Sequence, residues 1–276
     1  MKHVLILINP EKAGAREVSQ TLCPWLGDRA KVDAAELSDQ PLRTAADLVV
    51  VLGGDGSILR AARMLAGQEI PVVGINMGKL GYLAEFSAEE FCQKFEAIAA
   101  GRMPLSRRMM LSARCEPCAG SPKEHLVLND VLVAGGTPHR MLAVSAAIDG
   151  ELVTTYFGDG LLVATPTGST AYCLAAGGPI LAPGLEALAL VPVCPHSLTH
   201  RPIVLRPESE VVLEPCGLQK EAMLVLDGQD RGRLARGDRV RIRRAANSFL
   251  LVQNGGRPIF STLREKLQWG LGPRYG

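Results

Sequence analysis

The chain has 276 residues, with 30 Lys and Arg against 28 Asp and Glu, for a formal net charge of +2. That length allows one large domain or two modest ones at about 100–200 residues each, and it buries a sizeable core without covalent staples. The near-zero charge gives no overall electrostatic footprint for nucleic acid or an acidic membrane, and 47% apolar residues are too many for a disordered chain.

After Met1-Lys2-His3 the apolar run is confined to residues 4–8, with no small-residue cleavage site behind it. A buried first strand is therefore expected, not a signal peptide. No apolar stretch approaches the roughly 20 residues of a membrane helix. The seven cysteines are odd in number and scattered. Without an export signal they read as reduced thiols, and the expected location is the cytoplasm. Cys115-Glu116-Pro117-Cys118 is a lone CxxC with no second Cys/His pair at finger-like spacing, so small residues near a turn are expected there, not zinc.

Along the first hundred residues, short β-rich runs alternate with helical patterns. Strands are expected over 4–8, 31–36, 48–52 and 71–75, and helices over 13–26, 57–66 and 88–100. Ser87 and Glu90 have the spacing of a capping box for the last helix. The continuous apolar run Leu48-Val49-Val50-Val51-Leu52 predicts a strand buried on both faces, as in a parallel sheet covered by helices. Gly101-Arg102-Met103-Pro104 ends this pattern. Strands then follow one another, over 109–115, 126–134, 143–148, 151–155, 161–164, 211–213, 222–226, 239–243 and 249–252. Asp149-Gly150 is a two-residue hairpin signal. One helix is expected near 169–176, and the tail 261–267 looks helical again. The expected architecture is an α/β N-terminal domain, Rossmann-like with a parallel sheet, over residues 1–104. An all-β sandwich domain follows over 105–255, and a tail, 256–276, has a helix that packs back on the first domain.

Gly53-Gly54-Asp55-Gly56-Ser57 follows a buried strand and opens a helix. Ligands of open α/β sheets bind at the carboxyl ends of strands. Glycines and free N–H groups there suit an anion. The spacing is neither that of a Walker A loop nor of GxGxxG. An acid in a phosphate cradle repels the ligand, so Asp55 either removes a proton from an attacking hydroxyl, holds a metal, or simply caps the helix. Asn76-Met77-Gly78-Lys79-Leu80-Gly81-Tyr82-Leu83 ends the next strand at the same sheet edge and is expected to form the opposite wall of one cleft. Asn129-Asp130 suits ribose hydroxyls or an adenine edge, or an ordinary Asx turn. The run from Gly158 through Asp159 to Tyr172, with Ala176-Gly177-Gly178-Pro179 after it, is small and hydroxyl-rich, which packing alone does not readily explain. Its hydroxyls and amides suit a nucleotide site. His196 and His200 are expected to be structural before they are acids or bases. Asp227-Gly228-Gln229 reads as a tight turn.

Taken in order, Gly53 to Ser57, Asn76 to Leu83, Asn129-Asp130, Thr165 to Pro179, Pro195 to Pro202 and Asp227 to Gln229 resemble the NAD kinase family. The block from Thr165 to Pro179 is the specific part, since lipid kinases and phosphofructokinases share the Gly-Gly-Asp-Gly element. The resemblance implies phosphorylation of the 2′-hydroxyl of the adenosine ribose of NAD, by ATP or polyphosphate, with Mg²⁺ carried mainly by the substrate phosphates. It implies a homodimer or homotetramer. It makes Asp55 the general base, with Gly56 beside the dinucleotide, and the loop that Gly53 and Gly54 open, through Ser57, a cradle for the donor phosphates. Asn129 and Asp130 would hold the adenosine. Arg140 and Asp159 would line the dinucleotide site, with Asp159 accepting from the nicotinamide carboxamide. Thr170, Ala171, Tyr172, Cys173, Leu174 and Ala175 would form its wall, and Gln229 would close it. Ser57 stands where Thr is usual and Asp130 where Glu is more frequent. Cys173 and Ala175 stand where serines are usual, and Phe157 where some members carry a basic residue. The hydroxyl missing at Ala175 is worth about 0.5–1.5 kcal/mol of dinucleotide affinity. Two other readings remain at this stage: a lipid kinase with the same glycine loop, and a non-catalytic NAD-binding sensor. The first lacks a basic amphipathic segment, and the second does not explain an acid beside phosphates.

Overall fold

The computed structural model describes residues 1–78, 81–136, 141–216, 221–255 and 259–268. Two compact units emerge. One comprises Met1–Leu65, Ile70–Ser106 and Leu250–Gly276, the other Ala66–Glu69 and Arg107–Phe249.

In the first unit, strands β1 (His3–Ile8), β2 (Lys31–Glu36), β3 (Leu48–Gly53) and β4 (Val72–Asn76) are parallel, in the order β2-β1-β3-β4. Leu251 pairs in parallel with Val72 beyond them. Helices α1 (Ala15–Gly27), α2 (Asp55–Leu65) and α3 (Ala88–Ala99) lie between and after the strands. All of β3 is buried, and the reason is visible in its two faces. Leu48, Val50 and Leu52 cluster with Leu22 and Leu26 of α1 and with Phe91 and Phe95 of α3. Val51 pairs with Gly74 on the opposite face. There α2 comes so close that a Cβ on Gly74 would lie 2.8 Å from Ile58 Cδ1. A strand covered on both sides has no polar face to show, hence the unbroken apolar run. The Ser87 hydroxyl accepts from Glu90 N–H at 3.0 Å, and the Glu90 carboxylate accepts from Ser87 N–H at 2.8 Å, closing the expected box.

The second unit is built mainly from β5 (Leu105–Glu116), β6 (Lys123–Val127), β7 (Asp130–Gly135), β8 (Leu142–Ile148), β9 (Glu151–Gly158) and β10 (Gly160–Ala164). A 3₁₀ turn at Gly168–Thr170 and α4 (Tyr172–Ala175) come next. The remaining strands are β11 (Leu188–Val193), β12 (Ile203–Leu205), β13 (Val211–Pro215), β14 (Glu221–Leu226), β15 (Gln229–Ala235) and β16 (Arg239–Val252). One sheet runs β12-β11-β10-β7-β14-β15, all antiparallel. The other runs β16-β13-β8-β9, with β5 beside β16 and β6 beside β5. Facing side chains of the two sheets, among them Leu111, Val127, Val144 and Leu213 against Val133, Leu161, Val163 and Leu190, form one core. This is a sandwich, and all seven cysteines are free thiols, so no disulfide braces it. The outer face of β10 and β11 is covered in turn by Cys173, Leu181 and Ala187. The chain then returns to the first unit with α5 (Ile259–Leu267), whose Leu263 is buried.

Several expectations shift. The run 126–134 is two strands, because the amides of Leu128, Asn129 and Asp130 turn to the Asp227 carboxylate. Residues 239–243 and 249–252 belong to one strand. Three strands, β11, β12 and β15, were not foreseen. The helix near 169–176 is reduced to the 3₁₀ turn and the single turn of α4. Helix α2 starts at Asp55, not Ser57, which puts Asp55 and Gly56 in its first turn. The Asp149-Gly150 hairpin joins β8 to β9 with both residues at positive φ, 51° and 85°.

Candidate active site

In the first unit a cleft of about 410 Å³ opens at the carboxyl ends of β3 and β4. Gly53, Gly54 and Asp55 form one wall, and Asn76, Met77, Gly78 and Gly81 the other, as the two glycine-rich segments predicted. Lys79 and Leu80 lie outside the described residues. The walls are joined where Met77 N–H donates to the Gly53 carbonyl at 2.9 Å. Asn9 at the end of β1 donates to Ser57 Oγ at 2.8 Å, and Ser57 Oγ accepts Gly54 N–H at 3.2 Å. Gly53 leaves room for this hydroxyl, because a Cβ there would sit 2.0 Å from it. By contrast, a Cβ on Gly54 or Gly56 would meet nothing within 4 Å. The sidelessness of those two positions is not required by packing; it suits close approach of a ligand to the backbone.

Asp55 is held across the cleft. Its Oδ2 accepts the Tyr82 N–H at 2.8 Å, and its Oδ1 accepts those of Leu83 at 2.9 Å and Ala84 at 3.1 Å. A carboxylate offers about four acceptor sites. Three are taken by these N–H groups, and one remains. Two cations that sequence reasoning missed complete the cleft: Lys12, just past β1, and Lys266 of α5. The Lys266 ammonium also sits 4.2 Å from the centre of the Tyr82 ring. Lys12 carries a signal in hindsight, since it follows a strand at the ligand-binding edge of the sheet. Lys266 carries none, because nothing local in the tail ties it to a loop nearly two hundred residues earlier.

In the second unit, Asn129 and Asp130 meet Asp227 on one side and the segment from Thr165 to Cys173 on the other. The Asp227 carboxylate accepts from Leu128 N–H at 3.1 Å, Asn129 N–H at 2.6 Å and Asp130 N–H at 3.3 Å. Asp227 itself sits at φ 48° and Gly228 at 73°, the tight turn expected. Asp130 is buried beside it. Burial first, and the Asp227 charge second, push the Asp130 carboxyl up to about 7. Asn129 Oδ1 is buried with no partner among the described residues.

The hydroxyls of the following block have mostly structural partners. Thr165 Oγ1 donates to Leu128 carbonyl at 2.6 Å, Ser169 Oγ to Pro166 carbonyl at 2.7 Å, and Thr170 Oγ1 to Thr167 carbonyl at 3.3 Å. A Cβ on Gly168 would lie 2.2 Å from Asn129 carbonyl oxygen, and one on Gly178 2.4 Å from Cys173 Sγ. Packing thus explains more of this small-residue run than its sequence suggests. The Cys173 side chain is fully buried in the outer core, so only its backbone is available to a ligand. Burial and the neighbouring Asp130 raise its thiol to about 11. Tyr172 and Ala175 are exposed, while Thr170, Ala171 and Leu174 are partly so.

Asp159 is exposed between β9 and β10 and accepts a hydrogen bond from the Cys194 thiol, which raises the pKa of that thiol. Cys194 was not singled out by the sequence. Gln229 is exposed at the start of β15. Arg140 lies outside the described residues. His200 packs its ring 4.7 Å from that of Tyr156, a structural placement, and His196 is exposed.

Comparison with known proteins adds an independent line. Residues 33–103 match the family model of the ATP-NAD kinase N-terminal domain, and residues 128–254 that of the ATP-NAD kinase C-terminal domain. The chain is 39% identical over 281 residues to an NAD kinase of Geobacter metallireducens, covering 98% of this chain and 99% of the relative. It is 41% identical over 283 residues to an NAD kinase of Heliobacterium modesticaldum, covering 98% and 100%. Among solved structures, yeast NADH kinase complexed with NADH superposes with a TM-score of 0.91 at 25% identity, over 100% of this chain and 90% of that one. An NAD kinase of Archaeoglobus fulgidus in complex with ATP gives 0.77 at 26% identity, over 97% and 99%.

Proposed function

The chain belongs to the ATP-NAD kinase family, and from that premise we propose that it phosphorylates NAD to NADP at the 2′-hydroxyl of the adenosine ribose. The observation that carries the chemistry is the Asp55 cleft. It combines one carboxylate with one free acceptor site, two ligand-ready glycines at a helix N-terminus, and two lysines. The donor is ATP or polyphosphate. Its phosphates lie on the Gly53 to Gly56 backbone, and Lys12 and Lys266 neutralise them. The ribose oxygen forms its bond to the terminal phosphorus as the bridging P–O bond breaks, and the hydroxyl proton passes to the open acceptor site of Asp55. A carboxylate is a weak base toward an alcohol, so the transfer comes late in the transition state. Little covalent work falls to the protein; positioning and charge stabilisation dominate.

The donor set of the cleft fits a magnesium ion carried by substrate. Asp55 is the single carboxylate lining it, and among the described residues no three His, Cys, Asp or Glu gather as a cage. Mg²⁺ characteristically takes one or two carboxylates, substrate phosphates and water. When bound it neutralises charge on the transferring phosphoryl group.

For the dinucleotide, Asn129 and Asp130 hold the adenosine. The backbone from Thr170 through Ala175 with the Tyr172 ring forms the wall, Asp159 accepts from the carboxamide with Arg140 nearby, and Gln229 closes the site. The same reading makes the protein a cytoplasmic homodimer or homotetramer, which sedimentation of the purified protein tests. The central experiment is NADP formation from NAD, ATP and Mg²⁺, with Asp55→Asn alongside. A folded variant is expected to lose about 10²–10⁴-fold in turnover. Near-normal turnover removes Asp55 from the base role. Saturable NAD binding without any transfer, with polyphosphate also tried, favours a sensor.

A further inference from the structure

The second unit contains a cavity of about 170 Å³ in which none of the residues assigned above takes part. Its walls come from the β5–β6 hairpin and the β14–β15 hairpin, and its polar lining is mainly basic: Lys123, His125, Arg231 and Arg233, with Ser121 and Asp238. Lys123 and His125 are two apart on β6 and so project from the same face.

Arg231 is aimed there by a defect in its strand. Leu224 pairs with Gly232 and Val225 with Asp230, which leaves Arg231 as the extra, unpaired residue of a β-bulge. Gly232 takes the positive φ of 126° that this bulge contains. Bulges re-aim a side chain in this way. The effect is visible in burial: Arg231 is partly buried, whereas Asp230, Gly232 and Arg233 around it are exposed. Natural strands keep such bulges for a purpose more often than by accident.

The charges are unbalanced. No carboxylate among the described residues pairs with Lys123, Arg231 or Arg233. The one acid in the lining, Asp238, is buried and already engaged, its two oxygens accepting the N–H groups of Cys118 at 2.8 Å and Ala235 at 2.9 Å. Three cations against one carboxylate leave two positive charges around the cavity. A half-buried guanidinium without a counter-ion is costly, and a fork of this kind matches an oxyanion. The volume decides the size of the guest. A 150 Å³ cavity holds one benzene, so this one, partly open to solvent, has room for a single tetrahedral oxyanion whose carrier would extend outside it.

We propose that this cavity is a second anion site of the protein, which binds a phosphoryl dianion on Arg231, with Lys123, Arg233 and His125 around it. His125 is kept toward its neutral form by burial and by Arg231 and Lys123, and an anion reverses the last two influences. Its ring is therefore a local reporter that the donor cleft does not touch. The experiment follows the His125 side-chain NMR signal of the full chain, assigned with His125→Gln, during titration with inorganic phosphate, glycerol 3-phosphate and acetate at constant ionic strength.

Expected are a saturable shift with phosphate, a His125 titration midpoint raised in its presence, and acetate weaker by about tenfold or more, as a monoanion on a doubly positive site. Arg231→Gln and, separately, Lys123→Gln each weaken the phosphate response by about tenfold while NADP formation is unchanged. An equal response to glycerol 3-phosphate supports recognition of a phosphoryl group on any small carrier. A response to inorganic phosphate alone supports free phosphate as the ligand. No saturable shift, a shift that survives both substitutions in folded protein, or acetate as effective as phosphate each overturns the proposal.

Discussion

The two aspartates of the proposed site sit in opposite surroundings. Asp55 accepts three backbone N–H groups in a cleft that Lys12 and Lys266 also line. Asp130 is buried against Asp227, and its carboxyl is raised to about 7. A carboxyl raised in the folded state costs stability once it ionises. Its full contribution is present below the unfolded pKa near 4, is lost progressively as pH rises, and is gone above about 7. The whole effect is at most about 4 kcal/mol for three pK units. Asp130→Asn keeps the shape and removes the titration. Its urea-unfolding stability relative to wild type is expected to rise between pH 5 and pH 8, and a difference that does not change with pH refutes the assignment. The same variant is expected to bind NAD more weakly at pH 8, since the proposed site uses this carboxylate as a ligand. Lys266→Gln belongs to this scale as well. Removing one cation from the donor cleft is expected to raise KM for ATP about tenfold with the KM for NAD unchanged. Equal rises in both would show that Lys266 supports the fold of the cleft, not the donor.

Elements decide what those residues can do. The loop from Gly81 to Ala84 lies against Asp55 so closely that a Cβ on Gly81 would be 1.9 Å from Oδ1. Gly81→Ala must push the loop or the carboxylate aside. Turnover is expected to fall by about 10²-fold or more, because small misplacements at a reacting centre are costly. Gly81, Leu83 and Ala84 are buried, so some thermal stability is expected to be lost as well, and the measurement that decides is turnover per folded molecule. A large loss of stability with turnover per folded molecule intact would reverse that reading. Ser87→Ala tests the opposite balance: about 1 kcal/mol of stability lost with the capping box, read by urea unfolding, and no change in KM. The elements that the sequence hid are instructive. Strand β11 contains Pro192, which demotes a run to an edge, yet Pro192 pairs with Leu161 inside the sheet. Strand β15 is polar and interrupted by a bulge, so it lacks the alternation that marks a strand. Both were recoverable only from the partners they acquire. The capping box, the hairpin at Asp149-Gly150 and the buried β3, in contrast, depend on residues within a few positions of one another, and they were legible.

At the scale of the molecule, the fold class was legible because periodicity changes once, near residue 104, from helices between buried strands to strands in succession. The candidate site was legible only where glycines and acids follow a strand. It was not legible where a distant residue supplies the geometry, as Asp227 does for Asn129 and Asp130, or Lys266 for the cleft. The proposed division of labour assigns donor phosphates to the first unit and adenosine to the second, and each unit has its own core. Ligand binding stabilises the segments it touches, by about 2.7 kcal/mol at a concentration of 100 Kd. Hydrogen exchange reads this segment by segment. ATP with Mg²⁺ alone is expected to slow exchange at Gly53 to Gly56 and at Tyr82 to Ala84, up to a hundredfold at that concentration. NAD alone is expected to slow it at Leu128 to Asp130 and from Thr165 to Ala176. Because the amides of Thr165, Gly168 and Ser169 already donate to the Asn129 carbonyl, the Thr165 hydroxyl and the Thr165 carbonyl, those amides start out protected, and the larger gain should fall on the exposed turn of Tyr172 to Ala175. Protection by NAD that appears at Gly53 to Gly56 and spares the second unit would assign the adenosine to the wrong half of the protein, and with it the roles given to Asn129 and Asp130.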